Sequence, residues 1–329
     1  MERVSFAGSS PAFQRTLSLI TKLARVNVPL LIEGETGTGK ELAARAIHYQ
    51  GDRRDGPFVP INCGAFPDTL VESELFGHVR GSFTDARNDR VGLVETARGG
   101  TLFLDEVDAL SPKAQVTLLR FLQDAHYRPV GGRVEHKADV RVIAASNAAL
   151  DTLAESGQFR IDLLFRLRVM SLRLPPLRER EGDALLLARL FFTRCRDDHP
   201  CAARELDADS CDWFGRYHWP GNVRELETLI YREALITDQA VLRLAEPAVL
   251  ARERRHRPDR RMPDFDGVEL AKAKARMVQE FERSYLHRLM SKAEGNVTRA
   301  ALLAGKERRA LGKLLKKYGM SAGDLGDSA

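Results

Sequence analysis

Two short motifs carry residue types that could bind the phosphates of a nucleotide and hydrolyse a phosphoanhydride bond. The first, GETGTGK, follows an apolar run at residues 28–32 and opens a segment with helical periodicity. Backbone N–H groups of such a loop can surround phosphate oxygens, the helix N-terminus favours negative charge, and Lys40 can reach the outer phosphates. The motif and the glutamate that follows it therefore predict a nucleotide site over eight consecutive residues: Gly34, Glu35, Thr36, Gly37, Thr38, Gly39, Lys40 and Glu41.

The second motif supplies two carboxylates. Glu41 stands where the general phosphate-loop pattern has a serine or threonine for magnesium. About seventy residues after the loop, the apolar run 101–104 ends in Asp105 and Glu106. Asp105 could hold Mg²⁺ through water, and Glu106 could act as general base on the attacking water. An acidic pair can also be a helix cap, but combined with the glycine-rich loop it favours an ATPase that uses ATP and Mg²⁺.

Apolar runs alternating with helical segments must position these motifs. The runs cover residues 28–32, 58–61, 101–104 and 140–145. Segments such as 39–49 and 112–124 show helical periodicity, and this alternation predicts a parallel sheet covered on both faces. Strand patterns stop after Pro175 and Pro176, so a smaller all-helical unit is expected over about 183–236.

Composition limits the classes of protein. With 329 residues, 43% of them hydrophobic, the chain can form two or three folding units. Its apolar runs are too short for a membrane span and no signal-peptide pattern is present, which predicts a cytoplasmic protein without a membrane partner. Four cysteines without CxxC spacing argue against a zinc site or a disulfide framework. The net charge is +5, and six arginines at 252–261 indicate a basic linker.

The C-terminal region predicts a helix-turn-helix. Residues 296–318 hold seven basic residues and one acid, and Gly305 separates helical segments 296–304 and 307–318, which follow an amphipathic segment at 268–292. In such a motif the second helix enters the major groove of DNA. A basic cluster can also be a solvated face. The predicted contacts are Arg308, Arg309 and Lys313 to bases or phosphates, with Lys316 and Lys317 on the DNA backbone.

The motifs together resemble the AAA+ central domain of bacterial enhancer-binding proteins, the activators of sigma-54 RNA polymerase. The matching segments are GETGTGKE at 34–41, INC at 61–63, ESELFGH at 72–78, GGTLFLDE at 99–106, LPPLRERE at 174–181 and WPGNVREL at 219–226. The family also carries glutamate at the position of Glu41, and NVTRAA at 296–301 resembles its Fis-type helix-turn-helix.

This resemblance implies an α/β fold: an AAA+ P-loop parallel sheet with a helical lid subdomain, followed by an all-α helix-turn-helix domain. The implied domains are the ATPase core at 1–174, the lid at 175–250, a basic linker at 251–266 and the DNA-binding domain at 267–329. Since the phosphate loop begins at Gly34, no N-terminal regulatory domain is expected, and a regulatory protein acting in trans is a possible partner.

The resemblance also implies roles for residues around the acidic pair. Asn62 would be the switch residue that restrains Glu106 until nucleotide is sensed. Ser146 and Asn147 would form the first sensor, with Ser146 at a position where the family commonly has threonine.

Three arginines receive roles by the same resemblance. Arg160 and Arg166 match arginine fingers that reach a neighbouring subunit's site, and Arg224 matches the second sensor. Arginines from a neighbour stabilise charge on the transferring phosphoryl group, so hydrolysis would require a homo-oligomeric ring, expected to be a hexamer.

The loop that contacts the sigma factor departs from the family pattern GAFTGA. The corresponding residues are Gly81, Ser82, Phe83, Thr84, Asp85 and Ala86. Phe83 and Thr84 are retained, whereas Asp85 replaces a glycine, which adds negative charge and restricts the backbone.

Two functions remain open at this point. The first is a sigma-54-dependent activator that hydrolyses ATP to remodel RNA polymerase holoenzyme and drive promoter opening from upstream promoter DNA. The alternative is a DNA-binding regulator of another polymerase form, whose AAA+ unit serves nucleotide-dependent oligomerisation, and Asp85 is its support in the sequence. A protein-unfolding or helicase-loading motor would need a pore loop or partner domain, which the sequence does not indicate.

Overall fold

The computed structural model divides into two compact units, Met1–Arg252 and Glu253–Ala329. The structure describes residues 6–65, 70–83, 86–246 and 296–318, with single positions between 272 and 293. Within this described part, no helix has both the length and the apolar composition needed to span a membrane.

A five-stranded sheet lies at the centre of the first unit. Its strands are β1 (Leu30–Glu33), β2 (Phe58–Asn62), β5 (Thr101–Asp105), β8 (Arg141–Ser146) and β9 (Met170–Arg173), in the order β2-β5-β8-β1-β9. Every neighbouring pair is parallel, as predicted from the sequence. Because parallel strands end at the same edge, the residues that follow β1, β5 and β8 are brought together there.

Helices cover both faces of this sheet. They are α1 (Pro11–Ala24), α2 (Lys40–Gln50), α3 (Val71–Phe76), α4 (Leu93–Thr96), α5 (Pro112–Asp124), α6 (Leu150–Glu155) and α7 (Ile161–Leu167). Successive residues of β1 point to opposite faces. Leu30 and Ile32 pack in one apolar cluster with Ile47 of α2, and Leu31 packs in the other with Leu118 of α5. The parallel sheet is thus buried on both sides, which explains its continuous apolar runs.

Two short hairpins extend from the core beside the sheet. β3 (Gly77–His78) pairs antiparallel with β4 (Arg90–Val91), and β6 (His126–Tyr127) pairs antiparallel with β7 (His136–Lys137). The backbone N–H of Val79 donates to the carbonyl of Val130 at 3.1 Å, so the two hairpins are hydrogen-bonded to each other.

The lid contains α8 (Asp183–Asp198) and α9 (Asn222–Ile236), but the expectation of an all-helical unit was wrong. Residues 199–221 hold no α-helix, and β10 (Glu205–Leu206) pairs in parallel with β11 (Val241–Leu242). Pro200 disfavours helical backbone at His199, where α8 ends. The irregular segment instead buries Trp213 and Trp219, whose rings stack at 5.5 Å.

Asp183 joins the lid to the segment before α1. It is fully buried and accepts hydrogen bonds from the backbone N–H groups of Ser9 at 2.6 Å and Ser10 at 2.9 Å. Its other oxygen accepts from Arg180 at 2.9 Å, and Arg180 is also buried. The carboxylate is therefore satisfied by an ion pair and by the N-cap serine of α1.

The second unit contains the predicted helix-turn-helix. Its helices are α10 (Val297–Leu303) and α11 (Arg308–Lys317). Asn296 caps α10 by accepting from the N–H groups of Thr298 and Arg299, and Gly305 turns the chain with a φ of 60°. Leu311 and Leu315 of α11 pack against alanines of α10. The predicted amphipathic segment 268–292 lies largely outside the described residues.

Candidate nucleotide-binding and catalytic site

The side chain of Lys40 is enclosed by the phosphate loop. Its ammonium group donates to the carbonyls of Gly34 at 2.8 Å and Glu35 at 3.1 Å, and to the side-chain oxygen of Asn147. The residue is only 6% exposed, and burial lowers the pKa of Lys40, which the nearby Asp105 carboxylate opposes. The loop thus presents a buried cation at the carboxyl edge of the sheet.

The carboxylate of Glu106 is held between two amides. Asn62 donates to one oxygen at 3.1 Å and Asn147 donates to the other at 3.3 Å. The backbone of Glu106 has a φ of 55°, a left-handed conformation that is unfavourable for a glutamate and recurs at functional sites. Since Asn147 also accepts from Lys40, one amide side chain links the predicted phosphate ligand to the predicted base.

Asp105 and Asp108 organise the rest of this edge. Asp105 accepts from the backbone N–H of Glu106 at 3.0 Å, and burial raises the pKa of Asp105 while Lys40 lowers it. Asp108 accepts from the Ser146 hydroxyl at 2.8 Å and from the Asn147 N–H at 3.2 Å. Sequence reasoning missed Asp108, which fixes the predicted first sensor, although its place just after the acidic pair was a usable signal.

Arg178 and Asn222 connect the lid to the phosphate loop. Glu35 accepts two hydrogen bonds from Arg178, at 2.8 and 2.6 Å, and a third from Asn222 at 3.1 Å. Arg224 is exposed and lies near enough to Lys40 to lower the pKa of that lysine. No ion pair or hydrogen bond of the Arg224 guanidinium occurs within the described residues, so this cation is available to a ligand.

Other loop residues have structural partners. The Thr38 hydroxyl donates to the Glu35 carbonyl at 2.8 Å, and the Thr36 carbonyl accepts from Asn222 at 3.0 Å. Glu41 pairs with Arg45 at 2.7 Å, one turn further along α2.

Among the described residues, neither predicted arginine finger forms an ion pair or a side-chain hydrogen bond with the phosphate loop or the acidic pair. Arg160 pairs with Asp162 at 2.7 Å, and its backbone N–H donates to the side chain of Gln115 at 2.9 Å. Gln115 is buried and also donates to the carbonyls of Leu110 and Gln158, so it fixes the turn before α7. Arg166 is exposed on α7 and forms no ion pair with any residue that the structure describes.

The predicted sigma-contact loop spans the first hairpin. The Gly81 N–H donates to the Ala86 carbonyl at 2.8 Å and closes the loop, while Thr84 and Asp85 lie outside the described residues. Phe83 is half-buried with its ring edge-on to His78 at 4.9 Å. Ser82 packs against the second hairpin, since a side chain at Gly131 would meet it at 2.6 Å.

Four of the five predicted DNA contacts are exposed without a partner in the described part of the second unit. They are Arg308, Arg309, Lys313 and Lys316 of α11. Lys317 differs because it pairs with Glu282 at 3.4 Å and lies 4.9 Å from the ring of Tyr318. Lys317 therefore has a role within the unit that the sequence did not indicate.

Comparison with known proteins gives two family matches. The model described as "Sigma-54 interaction domain" matches residues 6–173, and the model described as "AAA+ ATPase lid domain" matches residues 178–261. The first therefore covers both of the motifs from which the nucleotide site was predicted.

Curated relatives align with nearly the whole chain. The DNA-binding transcriptional regulator NtrC of Azospirillum brasilense is 42% identical over 335 residues, covering 96% of this chain and 69% of the relative. The response regulator protein PilR of Pseudomonas aeruginosa is 41% identical, with 95% and 69% covered. Among solved structures, NtrX from Brucella abortus in complex with ADP has a TM-score of 0.68 and 31% identity, with 96% and 69% covered. Its complex with ATP gives a TM-score of 0.67 at 32% identity, with the same shares covered.

Proposed function

The chain belongs to the sigma-54-dependent transcription activators with an AAA+ ATPase, and we propose that it acts as a ring that remodels sigma-54 RNA polymerase holoenzyme from upstream promoter DNA. The observation that carries this proposal is the connected set of Lys40, Asn147, Glu106 and Asn62 at one edge of the sheet. In this set, Asn147 contacts both the lysine proposed to bind phosphate and the glutamate proposed as the base, and Asn62 contacts the glutamate.

Each side chain has a defined task in hydrolysis. Lys40 and the loop N–H groups bind the phosphates, and Glu106 accepts a proton from the attacking water. Asn147 contacts both Lys40 and Glu106, so nucleotide that draws Lys40 away also changes the hydrogen bonding of the base. Asp105 fits Mg²⁺, because it is a hard oxygen ligand whose partly buried charge faces Lys40. Bound Mg²⁺ would neutralise charge on the phosphate oxygens.

The proposed ring is supported by the surface around the arginine fingers. Arg166 and the backbone-fixed Arg160 flank two apolar side chains, Ile161 at 56% exposure and Phe165 at 70%. Adjacent exposed apolar and cationic groups suit a contact with a second copy, whose nucleotide would receive the arginines. Whatever the number of subunits, hydrolysis would depend on assembly, because each arginine finger would act at the nucleotide site of a neighbouring chain.

Two further surfaces support the proposed partners. The closed loop between Gly81 and Ala86 carries Phe83 on a hairpin outside the core, where it can meet the sigma factor. The basic face of α11 suits the phosphates and base edges of upstream DNA.

The test is a trapped complex. Purified protein locked with ADP and aluminium fluoride is expected to form a complex with purified sigma-54 on a native gel. Phe83→Ala should lose the complex but keep ATPase activity, whereas Ile236→Ala, at a 70% exposed lid residue, should lose neither. No complex by the parent protein despite active hydrolysis would overturn sigma-54 contact and favour a regulator of another polymerase form.

A further inference from the structure

An ion pair joins the phosphate loop to the segment that enters the lid. Both oxygens of Glu35 are bound by the guanidinium of Arg178, at 2.8 and 2.6 Å, in the two-pronged geometry that arginine favours with carboxylates. The Arg178 side chain holds the pKa of Glu35 down at about 2, and Asn222 adds to the effect. Glu35 therefore remains charged at physiological pH.

Asn222 reinforces this pair from the start of α9. Its amide nitrogen donates to Glu35 at 3.1 Å and to the Thr36 carbonyl at 3.0 Å, while its oxygen accepts from the Leu177 N–H at 2.8 Å. The residue is fully buried and has a φ of 52°, a conformation that asparagine tolerates better than most residues. One side chain thus connects the phosphate loop, the lid entry and the first residue of α9.

The backbones of the loop and the lid are also in direct contact. The Val223 N–H donates to the Gly37 carbonyl at 3.0 Å. A β-carbon at Gly37 would lie 2.2 Å from the Gly221 carbonyl oxygen, so glycine is required for this approach. The second sensor, Arg224, is the next residue after Val223, and any shift of this contact moves it.

We propose that Glu35, Arg178 and Asn222 form a latch that sets α9 against the phosphate loop and thereby presents Arg224 to the nucleotide. The three are positioning residues, because they act through Arg224 and the loop backbone. The Arg178 and Glu35 side chains are 38% and 42% exposed, so water competes for their pairing and the latch can open when the lid moves. The inference rests on the nucleotide site proposed above.

The experiment is a double-variant cycle on nucleotide affinity, measured with fluorescent ADP and a non-hydrolysable ATP analogue on the full chain. Arg178→Ala is expected to weaken binding about fivefold, the size of effect for a lost charge-assisted pair. In that background, Arg224→Ala should add less than about twofold, because the latch that placed it is already lost. If the loss of affinity in the double variant equals the product of the losses in the two single variants, the residues act independently, and the latch would be overturned.

Two variants and a control separate positioning from folding. Glu35→Gln should resemble Arg178→Ala, while Arg178→Lys should keep part of the affinity, because a lysine retains the charge without the paired geometry. Arg53→Ala removes a comparable pair with Asp139, at 2.7 Å, and should leave affinity unchanged. Parent-like binding by Arg178→Ala would also overturn the latch. Failure of the parent protein to bind nucleotide would instead refute the site itself.

Discussion

Asn62 donates a hydrogen bond to Glu106 at 3.1 Å from the strand beside the one that carries the acidic pair. In the parallel register, Asn62 lies opposite Asp105, so the amide sits one residue away from the proposed base on the neighbouring strand. An oxygen that accepts this bond is less available to take a proton from water. If Glu106 is the base, as proposed, loss of this hydrogen bond would make the carboxylate a better proton acceptor.

Replacing Glu106 with glutamine should remove the proton acceptor while leaving the phosphate loop intact. We expect turnover to fall at least about 100-fold, within the usual range for general-base catalysis, with nucleotide affinity changed less than about twofold. Steady-state ATPase assays and nucleotide titration measure the two quantities. Asp151→Asn, at a carboxylate paired with Arg168 outside the site, is the control and should retain turnover. Persistent hydrolysis by Glu106→Gln would remove Glu106 as the base.

Mixing two inactive variants tests whether the arginine fingers act between subunits. Arg160→Ala keeps its own site but lacks a finger, while Glu106→Gln keeps the finger but lacks a base. In a 1:1 mixture, about a quarter of contacts between neighbours would pair an intact site with an intact finger, so activity should return to at most about that fraction. ATPase assays after mixing measure it. Arg232→Ala, which loses a surface pair on α9, should be active by itself. A mixture as inactive as its components would contradict fingers acting in trans.

The raised pKa of Asp105 predicts how activity falls in acid. Burial favours the protonated carboxyl, so Asp105 should lose its charge at a higher pH than an ordinary aspartate as the solution is acidified. Protonation removes the proposed Mg²⁺ ligand, whereas bound Mg²⁺ favours the charged form. The acidic limb of the rate profile should therefore shift to lower pH as Mg²⁺ concentration rises. A limb that does not move with Mg²⁺ would argue against metal binding at Asp105.

The lowered pKa of Glu35 predicts that the folded chain loses stability as pH falls. Its pKa is lowered from 4.5 to about 2 in the folded chain, so its stabilising contribution is complete above pH 4.5 and is lost as pH falls toward 2. Thermal unfolding of the parent and of Glu35→Gln should differ above this window and converge within it. If the difference in unfolding temperature between the two proteins stays constant from pH 4.5 downward, Glu35 does not titrate in this way.

Asp183→Ala should be among the most destabilising single changes in the first unit. It would leave Arg180 buried without its ion-pair partner and remove the acceptor of the Ser9 and Ser10 N–H groups. The free energy of unfolding should fall by about 3–5 kcal/mol, as for other broken buried pairs, which chemical denaturation can measure. Asp162→Ala, at an exposed pair with Arg160, should change stability little. A small effect at Asp183 would show that the N-terminal segment does not depend on this carboxylate.

The phosphate loop and the acidic pair were readable from the sequence because each stands at the end of an apolar strand. The same reasoning missed α1, although Ser10 and Pro11 are a typical helix start and Phe13 and Ile20 are buried on one face. It also missed β9, an edge strand in which only Leu172 is buried, so that neither alternation nor a continuous apolar run marks it.

Residues that act through contacts across the fold were harder to find. Asn222 and Arg178 lie in recognisable motifs, but their partner Glu35 is 187 and 143 positions away in the sequence. Motif spacing does not predict hydrogen bonds over such separations. The expected all-helical lid failed for a related reason. Trp213 and Trp219 fold the chain between α8 and α9 through tertiary packing, which overrides local helical preference.

Gln115 bears on how the nucleotide sites of neighbouring subunits would be coupled. It lies on α5, whose N-cap Ser111 follows Glu106 by five residues. Its side-chain oxygen accepts a hydrogen bond from the backbone N–H of Arg160. Gln115 therefore ties the backbone of Arg160 to the helix that begins shortly after the proposed base. In the proposed ring, a displacement of α5 in one subunit would therefore shift the backbone of the arginine that the subunit presents to its neighbour, which would couple adjacent nucleotide sites mechanically.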